Sequence, residues 1–435
     1  MKLLSVWVGL ALSVLCIIPS SACAEEYSLN DLFRIALERS EKVGIASAEV
    51  AFSEQEKNRA LSVLMPRLSA FANYQKYSND KYNDYDTLIQ PKSVEQWGLR
   101  ADQAFSLSLR ELTMLSEARS DIVRARYDLA YVKEVYLLQV AQAYYNVLLA
   151  KKGVDIARSN LERLVRYRDA ANVRLEVGEI TKTVVLRAES ELSGAKSDLV
   201  RSENALTLAR AALARVVGLE GGFSLKEEPP RQARTESLPE LKDIAYSERA
   251  DLKSLEYQMK IAKLEISYAR GAYWPNLAIA GVFQRTDQEP ETLTLNTESS
   301  YGALSLNFPF FEGGLRRAEV QEAKIREHQS ILQYEDQKKT VGIEVETAYL
   351  DLLTQKETLK YLEDHVAFAR DNYRGVSRQF EMGLASSIDV IDANNLLVSS
   401  ERQVASAVYS YQLAILAVEQ ATGTLLREVG EKAIR

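Results

Sequence analysis

The sequence predicts an α+β membrane protein made of two similar halves. Four β-strands per chain would contribute to a barrel shared among copies, and each strand pair would continue into a long antiparallel coiled-coil α-helical hairpin. Three observations carry this prediction. No proline lies between Pro91 and Pro229 or after Pro309, so two very long helical regions are possible. An apolar seam with helical spacing runs through the first of them, and the chain repeats itself at a nearly fixed offset.

At the N-terminus, Met1-Lys2 precedes an apolar run from Leu3 to Ile18 and then Pro19-Ser20-Ser21-Ala22-Cys23-Ala24. One positive charge, a short apolar stretch and Ala-x-Ala before Glu25 read as a secretory signal peptide, residues 1–24, cleaved after Ala24. The run is shorter than the roughly 20 residues a spanning helix requires. A lipid anchor on Cys23 is the alternative, with Ser20 where an aliphatic residue is usual. Cys16 and Cys23 both lie in this segment, so cleavage leaves no thiol chemistry. His328 and His365 stand apart, without metal-ligand spacing, and no cofactor is expected. Loss of Lys2 takes the net charge from −7 to −8, which disfavours a nucleic-acid partner.

In the first proline-free region Leu129, Val132, Tyr136, Val140, Ala143, Val147, Ala150 and Val154 recur with gaps of three and four. Ala157, Leu161, Leu164, Arg168, Ala171 and Leu175 continue the series, with only Arg168 polar. A seam of this length indicates helices packed side by side, and its alanines allow close approach. A helix from about Leu109 to Val177 would be roughly 100 Å long, more than a compact domain can use.

Internal repetition is the next signal. Ala143-Tyr144-Tyr145-Asn146-Val147-Leu148-Leu149-Ala150-Lys151 returns as Ala348-Tyr349-Leu350-Asp351-Leu352-Leu353-Thr354-Gln355-Lys356, an offset of 348 − 143 = 205. Gly178 maps to Gly383 and Gly218 to Gly423 at that offset, whereas Pro66 maps to Pro275 at 209. The first copy therefore holds four extra residues between its proline and its long helix, as a surface loop would. Lys76 to Glu95, polar and tyrosine-rich, is the expected loop, with Arg285 to Ser300 its counterpart. Beside these loops, Leu277, Ile279 and Phe283 alternate with Ala278, Ala280 and Gln284; Leu304, Leu306 and Phe308 alternate with Ala303, Ser305 and Asn307. Trp97, Leu99 and Ala101 likewise alternate with Arg100 and Asp102. Period two with one apolar and one polar face fits strands between lipid and water, although a soluble hairpin is the simpler reading of any single strand.

Four strands cannot close a barrel with a usable lumen, and open edges in hydrocarbon leave backbone groups unsatisfied. Several chains must therefore share one barrel if the strands are in a membrane. Three copies would supply twelve strands, but this argument does not fix the number. The resulting domain reading places the first repeat at 25–218, with its strand pair at 66–105. A connection rich in glycine, proline and charge follows at 219–239, and the second repeat spans 240–435 with a strand pair at 275–310. Leu29 to Leu61 and Leu241 to Ala269 read as helices preceding the strands and packing beside the long helices.

The order strand, strand, very long helix, turn and return helix, given twice, resembles the TolC-like outer-membrane efflux protein family over essentially the whole mature chain. Local matches are Phe308-Pro309-Phe310-Phe311-Glu312-Gly313-Gly314, Val177-Gly178, Met382-Gly383 and Ile388-Asp389-Val390-Ile391-Asp392-Ala393. The first copy departs at its own strand-to-helix junction, Ala104-Phe105-Ser106-Leu107-Ser108, which lacks the glycine pair and must turn differently.

The resemblance implies a homotrimer whose barrel lies in outer-membrane lipid and whose hairpins form a periplasmic tunnel. It would conduct passively for an inner-membrane transporter, without enzymatic chemistry. It also implies that a periplasmic adaptor protein meets the helical tips, at Val177, Gly178, Met382 and Gly383. Asp389 and Asp392 share a helix face three residues apart; Ser386 and Asp389 alone would read as a capping box. The resemblance instead places both aspartates at the pore constriction, as two rings of three whose mutual repulsion would raise some pKa values. Val184 and Arg187 occupy the equivalent places in the first copy, and Arg187 could pair with an aspartate or face water. Phe380 and Ala385 stand where some relatives carry Tyr and Arg that hold the end shut, so closure must differ here. A periplasmic adaptor or coiled-coil scaffold is the alternative; adaptors typically carry one hairpin, and this chain has two.

Overall fold

The proline-free stretches become helices of matching length in the two halves. The computed structural model describes residues 26–220, 222–291 and 296–434. In chain order the first half contains β1 (Glu26–Tyr27), α1 (Leu29–Arg39), α2 (Glu41–Ser62), β2 (Arg67–Lys76), β3 (Lys81–Tyr82), β4 (Leu88–Gln90), β5 (Ser93–Ser106), α3 (Arg110–Glu176) and α4 (Lys182–Val217). The second contains β6 (Ser224–Leu225), α5 (Leu238–Glu248), α6 (Ala250–Gly271), β7 (Asn276–Glu289), β8 (Glu298–Asn307), α7 (Leu315–Glu381), α8 (Ser387–Ala421) and α9 (Leu425–Ile434). Both α3 and α7 have 67 residues, or about 100 Å at 1.5 Å per residue. The expected signal peptide and Cys23 lie outside the described residues.

The four long strands form one antiparallel sheet in the order β2-β5-β7-β8. Leu68 stands opposite Ala101, which stands opposite Gly281, and Leu99 opposite Phe283, so alternation in sequence becomes a continuous face. Leu68, Leu99, Trp97, Ile279, Phe283, Leu304 and Leu306 are all exposed on that face. Across the sheet lie Ser69, Asn73, Gln96 and an Arg100–Asp102 ion pair of 2.7 Å. Strands of 10 and 14 residues reach across a hydrocarbon layer, which takes about 9–11. Among the described residues no helix is long and apolar enough to cross a membrane.

The loops are shorter than expected, because β2 runs to Lys76, β5 starts at Ser93, β7 reaches Glu289 and β8 begins at Glu298. Within the tyrosine-rich segment β3 and β4 form a hairpin of their own. Its turn closes where the Asn83 side chain accepts the backbone N–H groups of Tyr85 and Thr87 at 3.0 and 2.8 Å. The surplus of four residues is a net figure. Residues 67–106 number 40 against 32 for 276–307, while the junctions 107–109 and 308–314 hold three and seven, so 8 − 4 = 4.

At the longer junction Gly313 and Gly314 adopt φ of 62° and 94°. The shorter one turns at Leu109, φ 54°, a conformation costing an L-residue about 1–2 kcal/mol. Glu111 accepts the Ser106 N–H at 3.0 Å and the Ser108 hydroxyl donates to the Gly271 carbonyl at 3.0 Å, fixing the turn from both sides. Phe308, Phe310 and Phe311 remain exposed here, an aromatic rim beneath the sheet.

Below the sheet the helices lie as a layer ordered α2, α3, α6, α7; farther down the order becomes α4, α3, α8, α7. Thus α3 and α7 span the full height while shorter helices share the other two columns. No residue of the predicted seam on α3 is exposed, and Tyr136, Val140, Val147, Val154, Ala157, Leu164 and Ala171 are buried. Arg168 is half-buried and pairs with Asp169 at 2.6 Å.

At mid-height, Leu29, Leu32 and Phe33 of α1 pack with Leu137, Val140 and Tyr144 of α3 and with Leu213, Leu416 and Leu425. The connection between the halves lies across this core. Its β6 pairs in parallel with β1, the Tyr144 hydroxyl donates to the Lys226 carbonyl at 2.6 Å, and the Gln412 side chain accepts the Arg231 N–H at 2.8 Å.

Glu134 of α3 is buried close by, 6% exposed. Burial pushes its carboxyl up to about 7, against the Leu426 N–H that it accepts and the nearby Arg249 guanidinium, which both lower it. A raised folded-state pKa means that ionisation opposes folding. The penalty is absent below the ordinary 4.5, grows toward 7 and is complete above it. Glu134→Gln keeps an acceptor for Leu426 and removes the charge. It should therefore raise the unfolding temperature at pH 8 and change it little at pH 4, measured by scanning calorimetry of the detergent-solubilised protein.

Candidate functional site: the helical tips

Each hairpin reverses where the sequence supplies glycine. Gly178 and Gly383 adopt φ of 78° and 79°, a region that only glycine enters freely. In the first turn the Glu179 N–H donates to the Arg174 carbonyl at 2.9 Å and Gly178 to Leu175 at 3.0 Å. Leu384 donates to Gln379 at 2.7 Å and Gly383 to Phe380 at 3.0 Å in the second. Both are Schellman closures, which satisfy the last helical carbonyls and turn the chain within a few residues. Val177 and Met382 cap the helices, 65% and 66% exposed, so the four tip residues form two matching apolar-and-glycine points.

A small core joins the two turns. Leu164, Tyr167 and Ala171 of α3, Val185 and Ala188 of α4, Phe380 of α7, and Val390 and Ile391 of α8 are buried together. Phe380 is 3% exposed and its ring lies 5.2 Å from that of Tyr167. Phe380 thus acts as an apolar plug between the two turns. Polar links reinforce it. Arg174 donates to the Phe380 carbonyl at 2.9 Å, pairs with Glu179 at 2.9 Å and sits 4.8 Å above the Phe380 ring. The Tyr167 and Ser387 hydroxyls are 2.5 Å apart. One turn higher, Arg163 donates to Asn394 at 3.0 Å and pairs with Glu401 at 3.3 Å. Arg163, Tyr167 and Arg174, spaced by four and seven, share one helix face, a periodicity that the apolar seam of α3 obscures in the sequence.

Asp389 and Asp392 are both exposed near the start of α8. Asp389 completes a capping box: its Oδ2 accepts the Ser386 N–H at 2.9 Å and the Ser386 hydroxyl at 2.7 Å, and its own N–H donates to Ser386 Oγ at 3.3 Å. The Ser386 hydroxyl, followed by the Ser386 N–H, holds the carboxyl below the usual aspartate range. Within one chain the local cause thus acts downward, opposite to the repulsion expected from converging rings. Val184 is half-buried against the tip core, and Arg187 is exposed with no ion pair among the described residues. Ala385 packs on the same core. No group of three or more metal-ligating side chains occurs among the described residues.

A sheet with one apolar and one polar face that continues into a helical layer about 100 Å long, with carboxylates at its far end, is the architecture of an outer-membrane channel subunit. The family model for outer membrane efflux proteins matches the chain twice, over residues 32–219 and 241–424, and the chain belongs to that family. It is similar to the outer membrane protein TolC of Vibrio cholerae, 24% identical over 98% of this chain and 96% of the relative. It also resembles the cation efflux system protein CusC of Escherichia coli K12, 21% identical over 65% of this chain and 63% of the relative. Its fold matches a solved CusC structure with a TM-score of 0.81, at 18% identity over 92% of this chain and 93% of the other. The outer membrane protein VceC of Vibrio cholerae gives 0.76, at 17% identity over 91% and 96%. The family is one of efflux channels of the outer membrane.

Phe380→Ala empties a well-packed site and should cost about 3–5 kcal/mol of local stability. Hydrogen exchange should accelerate in both turns, around residues 174–184 and 379–390, while the mid-height core exchanges as before.

Proposed function

We propose that three copies of this chain assemble into a passive conduit that carries substrate from an inner-membrane transporter through the periplasm and outer membrane. A periplasmic adaptor protein meets its tips at Val177, Gly178, Met382 and Gly383, and Asp389 and Asp392 form the constriction. The chain acts as a conduit and not as an enzyme. The observation that carries this reading is the sheet: β2 and β8 are edge strands with unpaired backbone groups, and the face beside them is apolar. Antiparallel pairing of β8 with β2 of the next copy removes both edges. Three copies then give twelve strands around a polar lumen.

The helices support the same assembly. On α7 Ile343, Leu350, Tyr361 and Phe368 are exposed, and on α4 Leu186, Val200 and Leu208 are exposed. These are the two outer columns of the lower layer, and an apolar stripe on one suits the apolar stripe of the other in a neighbouring copy. Within each chain Arg174 and Tyr167 tie the two hairpins together at the end where the tunnel narrows. Opening would then need those links to be exchanged or stretched.

Recording of single channels in planar bilayers tests this. The wild type should show a small cation-preferring conductance that multivalent cations block from the tip side. Asp389→Ala combined with Asp392→Ala should weaken that block by about a hundredfold or more, the loss expected when a site of converging charges is removed. Block of unchanged strength would take the aspartates out of the constriction. Arg174→Ala should enlarge the resting conductance by loosening the hairpin contact. Conductance identical to the wild type would leave that contact without a part in closure.

A further inference from the structure

The two hairpin tips repeat one another closely enough to place Arg187. It stands 187 − 178 = 9 residues beyond the turn glycine Gly178, and Asp392 stands 392 − 383 = 9 beyond Gly383. On α4 the residues buried nearest the turn are Val185, Ala188, Leu192 and Ala195. Their counterparts 205 residues on, Val390, Ala393, Leu397 and Ser400, are buried on α8. Both helices therefore pack on their hairpins with the same rotational phase, and each carries an exposed charge just before the buried alanine. Equal height and equal phase put Arg187 where a second Asp392 would stand, with the sign reversed.

The helices differ on the flank that meets the next column. On α8 Ile391 and Asn394 are also buried, because α3 covers that side: Asn394 donates to Asn160 at 2.8 Å and accepts from Arg163 at 3.0 Å. Leu186 and Glu189, their counterparts, are exposed because α4 is an outer column. Arg187 and Asp392 lie off this flank, on the face that both helices leave open.

Neither charge is satisfied within the chain. Among the described residues Arg187 and Asp392 have no ion-pair partner, whereas Asp389 is held by Ser386 in its capping box. Glu191, one turn up α4 from Arg187, does not pair with it. The Arg187 charge nevertheless reaches the column between α4 and α8. Burial raises the Tyr167 hydroxyl above its ordinary range; the Ser387 hydroxyl, 2.5 Å away, and next the Arg187 guanidinium draw it down, while Glu191 pushes it up. Tyr167 of α3 thus meets the first turn of α8 on one side and the field of Arg187 on the other.

We propose that Arg187 sets the ion selectivity of the constriction, as a ring of three guanidinium groups that alternates around the axis with the three Asp392 carboxylates. The proposal rests on the trimeric channel reading above, which turns the aspartates toward the pore. Columns α4 and α8 alternate in the lower layer, so closing the cylinder places each Arg187 between two Asp392 side chains. A ring of one sign excludes ions of that sign. Here the guanidinium groups offset the Asp392 ring, and the Asp389 ring keeps a residual preference for cations.

The test is the reversal potential of single channels of the full-length protein in a potassium chloride gradient, together with block by magnesium ions added at the tip side. Arg187→Gln should raise the potassium-over-chloride permeability ratio severalfold and tighten the block by about tenfold, the lower end of what clefts of one sign add to counter-ion concentration. Arg187→Lys keeps the charge and should stay near the wild type. With Asp392→Asn already present, Arg187→Gln should change the ratio less than it does in the wild type; with Glu191→Gln present it should change it as much. An equal effect in the Asp392→Asn background, or a ratio and block unchanged by Arg187→Gln, would overturn the proposal. The variant Asp389→Ala with Asp392→Ala is recorded beside these. If it weakens the block while Arg187→Gln changes nothing, the placement of Arg187 alone is wrong. If it too leaves the block unchanged, the constriction reading beneath the proposal falls as well.

Discussion

Backbone hydrogen bonding at the edges of one sheet governs the rest of this molecule. In hydrocarbon an unpaired N–H or C=O costs several kcal/mol, and no solvent is present to satisfy it. The sheet β2-β5-β7-β8 has an apolar face fit for lipid and two edges open to pairing. In the proposed assembly such a chain would reach a stable arrangement in a bilayer by joining copies of itself until the ring closes. The polar face, with Arg100 and Asp102, would then form the wall of an aqueous lumen.

The helical layer obeys the same demand for closure in another medium. Its outer columns, α4 and α7, carry apolar stripes that water opposes, and in the proposed assembly the neighbours that pair the strands above would also bury the helices below. Matching lengths of α3 and α7 keep the two hairpin turns level. At that level a small core and the Arg174 and Tyr167 links join the two hairpins, and in the proposed assembly they would set the width of the opening. The mid-height core around α1 and the connection across it fix the two halves to each other, so that barrel and tip are ends of one body.

Much of this was legible in the sequence because it is periodic. Proline placement and the α3 seam gave helix length to within a residue or two, and alternation such as Trp97, Leu99 and Ala101 against Arg100 and Asp102 gave the faces of the sheet. Loop lengths were misjudged where tyrosines and asparagines are as compatible with strand as with turn, so that β3 and β4 went unseen within Lys76 to Glu95. The offset of four residues concealed two opposite changes, one in the loop and one at the junction that turns on Leu109. At the tip, the glycine turns and the Ser386 capping box follow from local chemistry and were readable. The part played by Phe380 depends on Tyr167 and Arg174, more than two hundred residues away, and periodicity is blind to such separations. Glu134 was missed for a related reason: one acid within a long polar-and-apolar alternation gives no sign that α9 will cover it.

The central claim is that the sheet is a fragment completed by identical neighbours, and the stoichiometry of the extracted particle tests it most directly. Multi-angle light scattering of the mature chain in outer-membrane detergent extracts, with the detergent mass subtracted, should give a single species of three chains. A particle of one chain, stable in water without detergent, would contradict the account.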